Sequence, residues 1–135
     1  MARNVYAAFE TSKPLESDGI AVDYGDFRFT IARAGGSNRR YLYALERKMR
    51  PHRRALAAGV LDEEVATRLL AEAYAEAVIL GWDGVTDRDG NALPFTRENC
   101  VRLLLDLPEL FADLREQAEA ASNFLAAERD VEGKG

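Results

Sequence analysis

The sequence predicts a mainly helical α+β domain in which an N-terminal β-hairpin precedes a bundle of four to five helices. Two patterns predict it. Apolar and polar residues alternate on both sides of Gly25-Asp26, which is typical of two strands joined by a tight turn. From residue 38 onward, apolar residues recur every three or four positions, which is the period of an amphipathic helix. At 135 residues, the chain suits a single domain (1–135) that buries its core without disulfides or metals.

Residues 1–18 show no sustained period, and Lys13-Pro14 and Ser17-Asp18-Gly19 indicate a loop. We therefore expect this segment to be loosely ordered. The hairpin is predicted over residues 20–33, and the apolar residues of its strands are Ile20, Val22, Tyr24, Phe27, Phe29 and Ile31. Because an isolated hairpin is marginally stable in water, its aromatic face must pack on helices, on a third strand or on a neighbouring subunit.

The helical region is predicted over residues 38–129. Ser37 or Asn38 is the expected N-cap of the first helix, and Pro51 is expected to end or kink this helix near Arg50. Its apolar positions are Tyr41, Leu42, Leu45 and Met49. Asp62 is the expected N-cap of the next helix, which ends at Gly81 in the C′ position. The buried stripe of that helix is expected to comprise Val65, Leu69, Ala73, Ala77 and Leu80.

A turn at Asp89-Gly90 is predicted between residues 82 and 94. Thr96 is then expected to cap a helix over residues 97–106 by accepting a hydrogen bond from the backbone N–H of Asn99. Phe95 and Cys100 are spaced like a hydrophobic staple around this cap. A last, long helix begins with Pro108 at its first position, and residues 130–135 form a frayed tail. The apolar side of this last helix comprises Leu110, Phe111, Leu114, Ala118, Ala121, Phe124 and Leu125.

The sequence offers no set of residues for catalysis, metal binding or a cofactor, and we expect a protein that is not an enzyme. His52 is the only histidine, and it has no evident orienting carboxylate. Cys100 is the only cysteine, so zinc is disfavoured, and a buried thiol in the cytoplasm is expected. No apolar run is long enough to span a membrane. Four residues fit a calcium-loop register, but Ala92 and Pro94 depart from it and favour a turn; they are Asp87, Asp89, Asn91 and Glu98.

Charge is segregated along the chain, although the net charge is only −5. Positions 39–54 contain seven basic residues and a single acid, Glu46. The basic residues are Arg39, Arg40, Arg47, Lys48, Arg50, Arg53 and Arg54. Acidic residues dominate from Asp106 onward. The two patches are suited to pair internally, to bind different partners or to join copies head to tail. The basic patch also suits a small regulatory protein that binds nucleic acid. Because the net charge of the chain is negative, we favour a patch that is solvated or binds an acidic partner over one that binds DNA or RNA.

Residues 82–124 carry a resemblance to a known family. The stretch contains Trp82-Asp83-Gly84-Val85, Asp89-Gly90, Pro94-Phe95-Thr96-Arg97-Glu98-Asn99, Leu103-Leu104, Pro108, Phe111, Ala118 and Phe124. In order and spacing it resembles the C-terminal part of tail assembly chaperones from long-tailed bacteriophages and prophages. The residues assigned to this motif are Trp82, Phe95, Thr96, Glu98, Asn99, Pro108, Phe111 and Phe124. For Trp82, Phe95, Thr96 and Asn99 individually, a structural role is favoured over partner binding.

The resemblance implies a non-enzymatic protein of the host cytoplasm that coats the tape measure protein before the tail tube polymerises around it. In such families a frameshifted longer form recruits the tail tube protein, and self-association along the tape is expected. We accordingly expect the apolar helical surfaces of the second half of the chain to cover another polypeptide. Exposed residues of the last helix and of the basic helix are the expected partner contacts.

Overall fold

A computed structural model describes residues 4–126. Its helices are α1 (Val5–Phe9), α2 (Lys13–Asp18), α3 (Arg39–Met49), α4 (Arg53–Ala57), α5 (Glu63–Ala77), α6 (Arg97–Asp106) and α7 (Pro108–Glu119). The strands are β1 (Ile20–Asp23), β2 (Arg28–Ile31) and β3 (Ile79–Asp83), and short 3₁₀ turns cover Arg50–His52 and Ala121–Phe124. The predicted α+β, mainly helical fold class is confirmed. The predicted tail at 130–135 lies outside the described residues.

The sheet is antiparallel with the order β1-β2-β3, so the predicted hairpin is present and is extended by a third strand. Val22 lies opposite Phe29, and Phe29 lies opposite Trp82. Phe29 and Ile31 are 1% and 0% exposed, so one face of β2 is buried. The hairpin is therefore stabilised by β3 and by the helices that pack on this face.

The prediction that a helix runs to Leu80 is wrong, because α5 ends at Ala77. The backbone N–H of Ala32 donates to the carbonyl of Val78 at 2.7 Å, and Ile79 pairs with Ile31. Bonding to β2 thus replaces the next helical turn, and Gly81 lies within β3 rather than at a helix C′ position. Val78 and Ile79 are β-branched residues, which favour strands.

Helix α5 is the centre of the bundle and packs against α3 and α6. Asp62 caps it as predicted, accepting from the backbone N–H of Glu64 at 2.8 Å. Tyr74 is fully buried. Its ring meets the edges of Tyr41 and Phe111, each with ring centroids 5.3 Å apart. These three aromatic side chains join α3, α5 and α7 into one core.

The prediction that Lys13-Pro14 and Ser17-Asp18 lie in a loop is wrong, because they belong to α2, and Gly19 follows as its C-cap. Ser12 caps α2 by accepting from the backbone N–H of Leu15 at 3.3 Å, and Pro14 lies in the first turn, where proline is tolerated. The segment is also bound to the other end of the described chain. The Ser12 N–H donates to the Phe124 carbonyl at 2.7 Å, and the Ala126 N–H donates to the Glu10 carbonyl at 2.9 Å.

A buried ion pair holds α2 against the loop after β2. Glu16 is 2% exposed, and its carboxylate lies 2.5 Å from the Arg33 guanidinium and 2.9 Å from the Ser37 hydroxyl. Burial opposes ionisation of Glu16, but the hydrogen bonds from Arg33 and Ser37 outweigh it and lower the carboxyl pKa. Gly36 has φ +55°, and a Cβ there would lie 1.9 Å from Glu16 Oε2. A side chain at position 36 would therefore displace the Glu16 carboxylate from its present place beside Arg33.

Asn38 occupies the N-cap position of α3, but its side chain caps nothing. Instead, its Nδ2 donates to the carbonyls of Arg33 at 2.8 Å and Ala77 at 2.9 Å. The predicted N-cap position is therefore confirmed, and the Asn38 side chain joins the start of α3 to the end of α5 instead of capping the helix. Pro51 acts as predicted, since α3 ends at Met49 and a 3₁₀ turn follows.

The helices after residue 95 begin as predicted. Thr96 Oγ1 accepts from the Asn99 N–H at 3.0 Å, and Pro108 is the first residue of α7. The last helix is shorter than predicted, because α7 ends at Glu119 and the backbone of Ala120 is extended. The following 3₁₀ turn directs Phe124 into the interior, where it is 0% exposed.

Candidate partner-binding surface

The apolar side of α6 and α7 is buried inside the protein itself. Phe111 is 2% exposed and Phe124 is 0% exposed. The core cluster also takes Cys100, Leu104, Leu114 and Ala118 from these two helices. The expectation that apolar surfaces of the second half cover another polypeptide is therefore wrong for these residues. An amphipathic stripe has the same sequence period whether it faces its own core or a partner.

Trp82 and Phe95 attach the segment after β3 to the sheet. The Trp82 ring lies edge-on to Phe29 at 5.8 Å and to Phe95 at 4.9 Å between centroids. Trp82 Nε1 donates to the Leu93 carbonyl at 2.9 Å. Asn99 Nδ2 donates to the Pro94 carbonyl at 2.9 Å, next to the Thr96 cap. The contacts of Trp82, Thr96 and Asn99 are thus internal, and Phe95 stays 38% exposed.

The other residues of the predicted hydrophobic staple and of the chaperone-like motif lie partly in the interior and partly at the surface. Cys100, the partner expected for Phe95, is fully buried, and burial raises the pKa of its thiol to about 12. Glu98 is exposed and pairs with Arg102 at 3.5 Å along α6. Pro108 is exposed at the start of α7. Among the eight motif residues, Phe111 and Phe124 are buried and Trp82 and Asn99 are partly buried. The exposed ones are Phe95, Thr96, Glu98 and Pro108.

A small hairpin follows β3 at the position of the predicted Asp-Gly turn. Asp87 Oδ1 accepts from the N–H groups of Asp89 and Asn91, both at 2.9 Å. The Asp87 N–H donates to the Asn91 carbonyl at 2.8 Å, and Gly90 has φ +86°. Asp87 thus organises the turn through backbone contacts. Within residues 4–126, no group of three potential ligand side chains is placed to hold a metal ion.

Three of the seven basic residues of 39–54 pair with acids of α3 and α5. Arg47 lies 2.5 Å from Glu76, and Lys48 lies 3.9 Å from Glu72. Arg50 lies 3.0 Å from Glu46 within the same helix region. Among the described residues, none of the acids from Asp106 onward pairs with this patch. Within residues 4–126, internal pairing of the basic residues therefore involves acids of α3 and α5 and not those of residues 106–126.

Glu76 joins three helices through its carboxylate. It accepts from Arg47 of α3 and, at 3.3 Å, from Arg97 of α6, and its side chain is 16% exposed. Burial opposes ionisation, but the hydrogen bond and charge of Arg47 and the charges of Lys48 and Arg97 lower the pKa of Glu76. Arg40 donates to the Glu76 backbone carbonyl at 3.2 Å.

The remaining basic residues have no carboxylate partner within the described part of the chain; they are Arg39, Arg40, Arg53 and Arg54. Large apolar side chains are exposed among them. Leu42 is 48% exposed, Tyr43 is 59% exposed and Leu56 is 51% exposed. We call the exposed set Arg39, Leu42, Tyr43, Arg53, Arg54 and Leu56 the α3–α4 surface.

The α3–α4 surface was only half visible in the sequence. Its charges were evident, but Leu42 was expected in the apolar stripe of α3. The structure buries Tyr41, as predicted, together with Ala44, so that Leu42 and Tyr43 lie on the other side of the helix. Helix α4 buries no residue at all. A second exposed apolar set lies on α1, where Val5, Tyr6 and Phe9 are 70–76% exposed.

A groove of about 720 Å³ lies beside α6, and its lining includes Lys48, Glu72, Arg97, Val101 and Leu105. The charged side chains at its rim are used in ion pairs, since Lys48 faces Glu72 and Arg97 faces Glu76. The groove therefore carries the contacts that join α3, α5 and α6. None of the helices within residues 4–126 is both long and apolar enough to cross a membrane.

Fold and surface together define a small, mainly helical protein with a filled core and an exposed helical surface that is both basic and apolar. Residues 36–134 match the family model of the YdaY prophage protein. The chain belongs to this family of prophage proteins. No curated protein and no solved structure matches it. The matched residues begin after β2, so they contain the α3–α4 surface and all the residues of the chaperone-like motif.

Proposed function

We propose that this prophage-family protein is a non-enzymatic tail assembly chaperone that binds and solubilises the tape measure protein and promotes tail tube assembly. The observation that carries the proposal is that Leu42, Tyr43 and Leu56 are exposed and do not belong to the hydrophobic core. Grouped apolar side chains at a protein surface are typical of interaction sites. Membership in a prophage family and the resemblance of residues 82–124 to tail assembly chaperones give the interaction its context.

The physical task of such a chaperone fits an exposed helical surface. A long helical protein with apolar stripes aggregates unless those stripes are covered until assembly. Small helical subunits cover such stripes by packing helix against helix, and they release them because each contact is modest. In this proposal the work is done in the host cytoplasm, several copies bind along one tape measure protein, and a frameshifted longer form recruits the tail tube protein.

A nucleic-acid-binding regulator is the alternative. It is favoured by the four arginines that lack a carboxylate partner, since such side chains neutralise phosphates. Pairing of Arg47, Lys48 and Arg50 with acids reduces the positive charge that remains for this purpose. Fluorescence anisotropy with duplex DNA at low salt tests the alternative, and lack of binding there would eliminate it.

Co-expression tests the chaperone directly. A tape measure protein from a long-tailed prophage is produced alone, with the full chain, and with an unrelated small helical protein as control. We expect the tape measure protein to move from the insoluble to the soluble fraction only with the full chain and to co-purify with it. An unchanged insoluble fraction would contradict the proposal.

A further inference from the structure

We propose that the α3–α4 surface binds an acidic amphipathic helix, meaning a helical segment with apolar side chains along one face and Asp or Glu beside them. The inference rests on the proposed function, because it specifies which segments of the tape measure protein this chain covers. It names a surface and a partner chemistry that neither the family match nor the resemblance supplies.

The first step is the arrangement of side chains along α3. Arg39, Leu42 and Tyr43 of α3, and Arg50 at its C-cap, are exposed at spacings of three, four and seven residues, so they share one side of the helix. Tyr41 and Ala44 are buried on the other side. The outer side of α3 is thus a stripe in which apolar side chains lie between arginines, which is the pattern that packs against another helix.

The second step is the charge left on the α3–α4 surface. Glu46, Glu72 and Glu76 are the acids in contact with the basic residues of 39–54, and each is already paired. Arg39, Arg53 and Arg54 have neither an ion pair nor a side-chain hydrogen bond within residues 4–126. A partner that presents carboxylates completes these charges, whereas a basic helix would be repelled.

The third step separates this surface from α1. Val5, Tyr6 and Phe9 are also exposed, but α1 has five residues and none of them is charged. It therefore offers apolar contact without charge selection. The α3–α4 surface, in contrast to α1, combines exposed apolar side chains with arginines that lack an ion pair, and this combination specifies the acidic partner.

The experiment measures binding of the full chain to two labelled designed peptides of about 20 residues. Both have the same leucine stripe, and they differ only in Glu or Lys at the flanking positions. We expect the Glu peptide to bind at least tenfold more tightly than the Lys peptide, with affinity falling as salt is raised. Arg53→Glu and Tyr43→Ser are each expected to weaken binding of the Glu peptide at least tenfold. Arg88→Glu makes the same charge change at another exposed arginine and is expected to have little effect.

Equal binding of both peptides would overturn the inference, and so would equal losses from Arg53→Glu and Arg88→Glu. Duplex DNA that displaces the Glu peptide at moderate salt would also overturn it, in favour of nucleic acid. The variants change exposed side chains, and unchanged thermal unfolding shows that they fold. Failure of the wild-type chain to solubilise the tape measure protein counts against the proposed function alone. If the wild type and Tyr43→Ser solubilise it equally, the inference fails and the function stands.

Discussion

Two regions of the chain use their apolar residues differently: one comprises helices α6 and α7, and the other comprises helices α3 and α4. Leu104, Leu114 and Phe111 are at most 2% exposed, whereas Leu42 and Tyr43 are about half exposed. The second half of the chain carries the family-like motif and uses it mainly to build the core. The basic helix keeps apolar side chains at the surface. Similar apolar content therefore serves folding in one region and leaves a candidate binding surface in the other.

The largest expected difference between the two regions is in stability. Phe111→Ala removes a buried ring that packs on Tyr74, and we expect it to lower the free energy of unfolding by about 3–5 kcal/mol. Tyr43→Ala removes an exposed ring and is expected to change it by about 0.5 kcal/mol or less. Urea unfolding measures both. Equal losses would show that Tyr43 packs in the core and would remove it from the α3–α4 surface.

The N-terminal segment is expected to stabilise the fold through the Glu16–Arg33 ion pair. Gly36→Ala places a methyl group against the Glu16 carboxylate, and we expect a loss of about 3 kcal/mol, because a buried ion pair is disrupted. Gly25→Ala is the control, since Gly25 also has positive φ but has open space around its Cβ position. There we expect about 1 kcal/mol from backbone strain alone. Thermal or urea unfolding giving the same loss for both variants would contradict this role.

The same ion pair predicts a pH dependence. The pKa of Glu16 in the folded protein is below its ordinary value of 4.5, so the unfolded chain binds the proton more readily. Its contribution to stability is present above pH 4.5 and is lost as the pH falls through the lower folded pKa. We therefore expect the difference in unfolding free energy between wild type and Glu16→Gln to shrink as the pH is lowered from 7 to 3. A constant difference over this range would refute the assignment.

The smallest expected effect concerns the cap of α6. Thr96→Ala removes the acceptor for the Asn99 N–H, and we expect a loss of about 1 kcal/mol. Thr67→Ala is the matched control at an exposed interior position of α5, where alanine is the better helix former. Urea unfolding is expected to separate the two variants in opposite directions. An unchanged free energy of unfolding for Thr96→Ala would show that the cap contributes little to the stability of the second half of the chain.

Local signals in the sequence predicted local structure well. The Thr96 cap, Pro108 at the start of α7, the break at Pro51 and the hairpin around Gly25 each depend on a few neighbouring residues. Strand β3 was missed because its pairing with β2 joins residues about fifty positions apart, and helical periodicity upstream concealed it. Helix α2 is not evident from the sequence because Pro14 is typical of a loop, although the first turn of a helix also accommodates proline.

The candidate surface was harder to predict than the fold. Seven basic residues near one another were evident, but their pairing with Glu72 and Glu76 depends on how α3 packs against α5. The exposure of Leu42 depends on which side of α3 meets the core, and that side carries Tyr41 and Ala44. The burial of Phe111 and Phe124 depends on packing against parts of the chain that are distant in sequence. None of these is encoded by residue spacing alone.

Amide hydrogen exchange of the full chain, measured free and bound to a soluble tape measure fragment, tests whether the partner contacts α3 and α4 rather than α6 and α7. We predict that binding slows exchange in α3 and α4, around Leu42, Tyr43 and Leu56, and leaves α6 and α7 unchanged. Protection confined to α6 and α7, with α3 and α4 exchanging as in the free protein, would contradict the account.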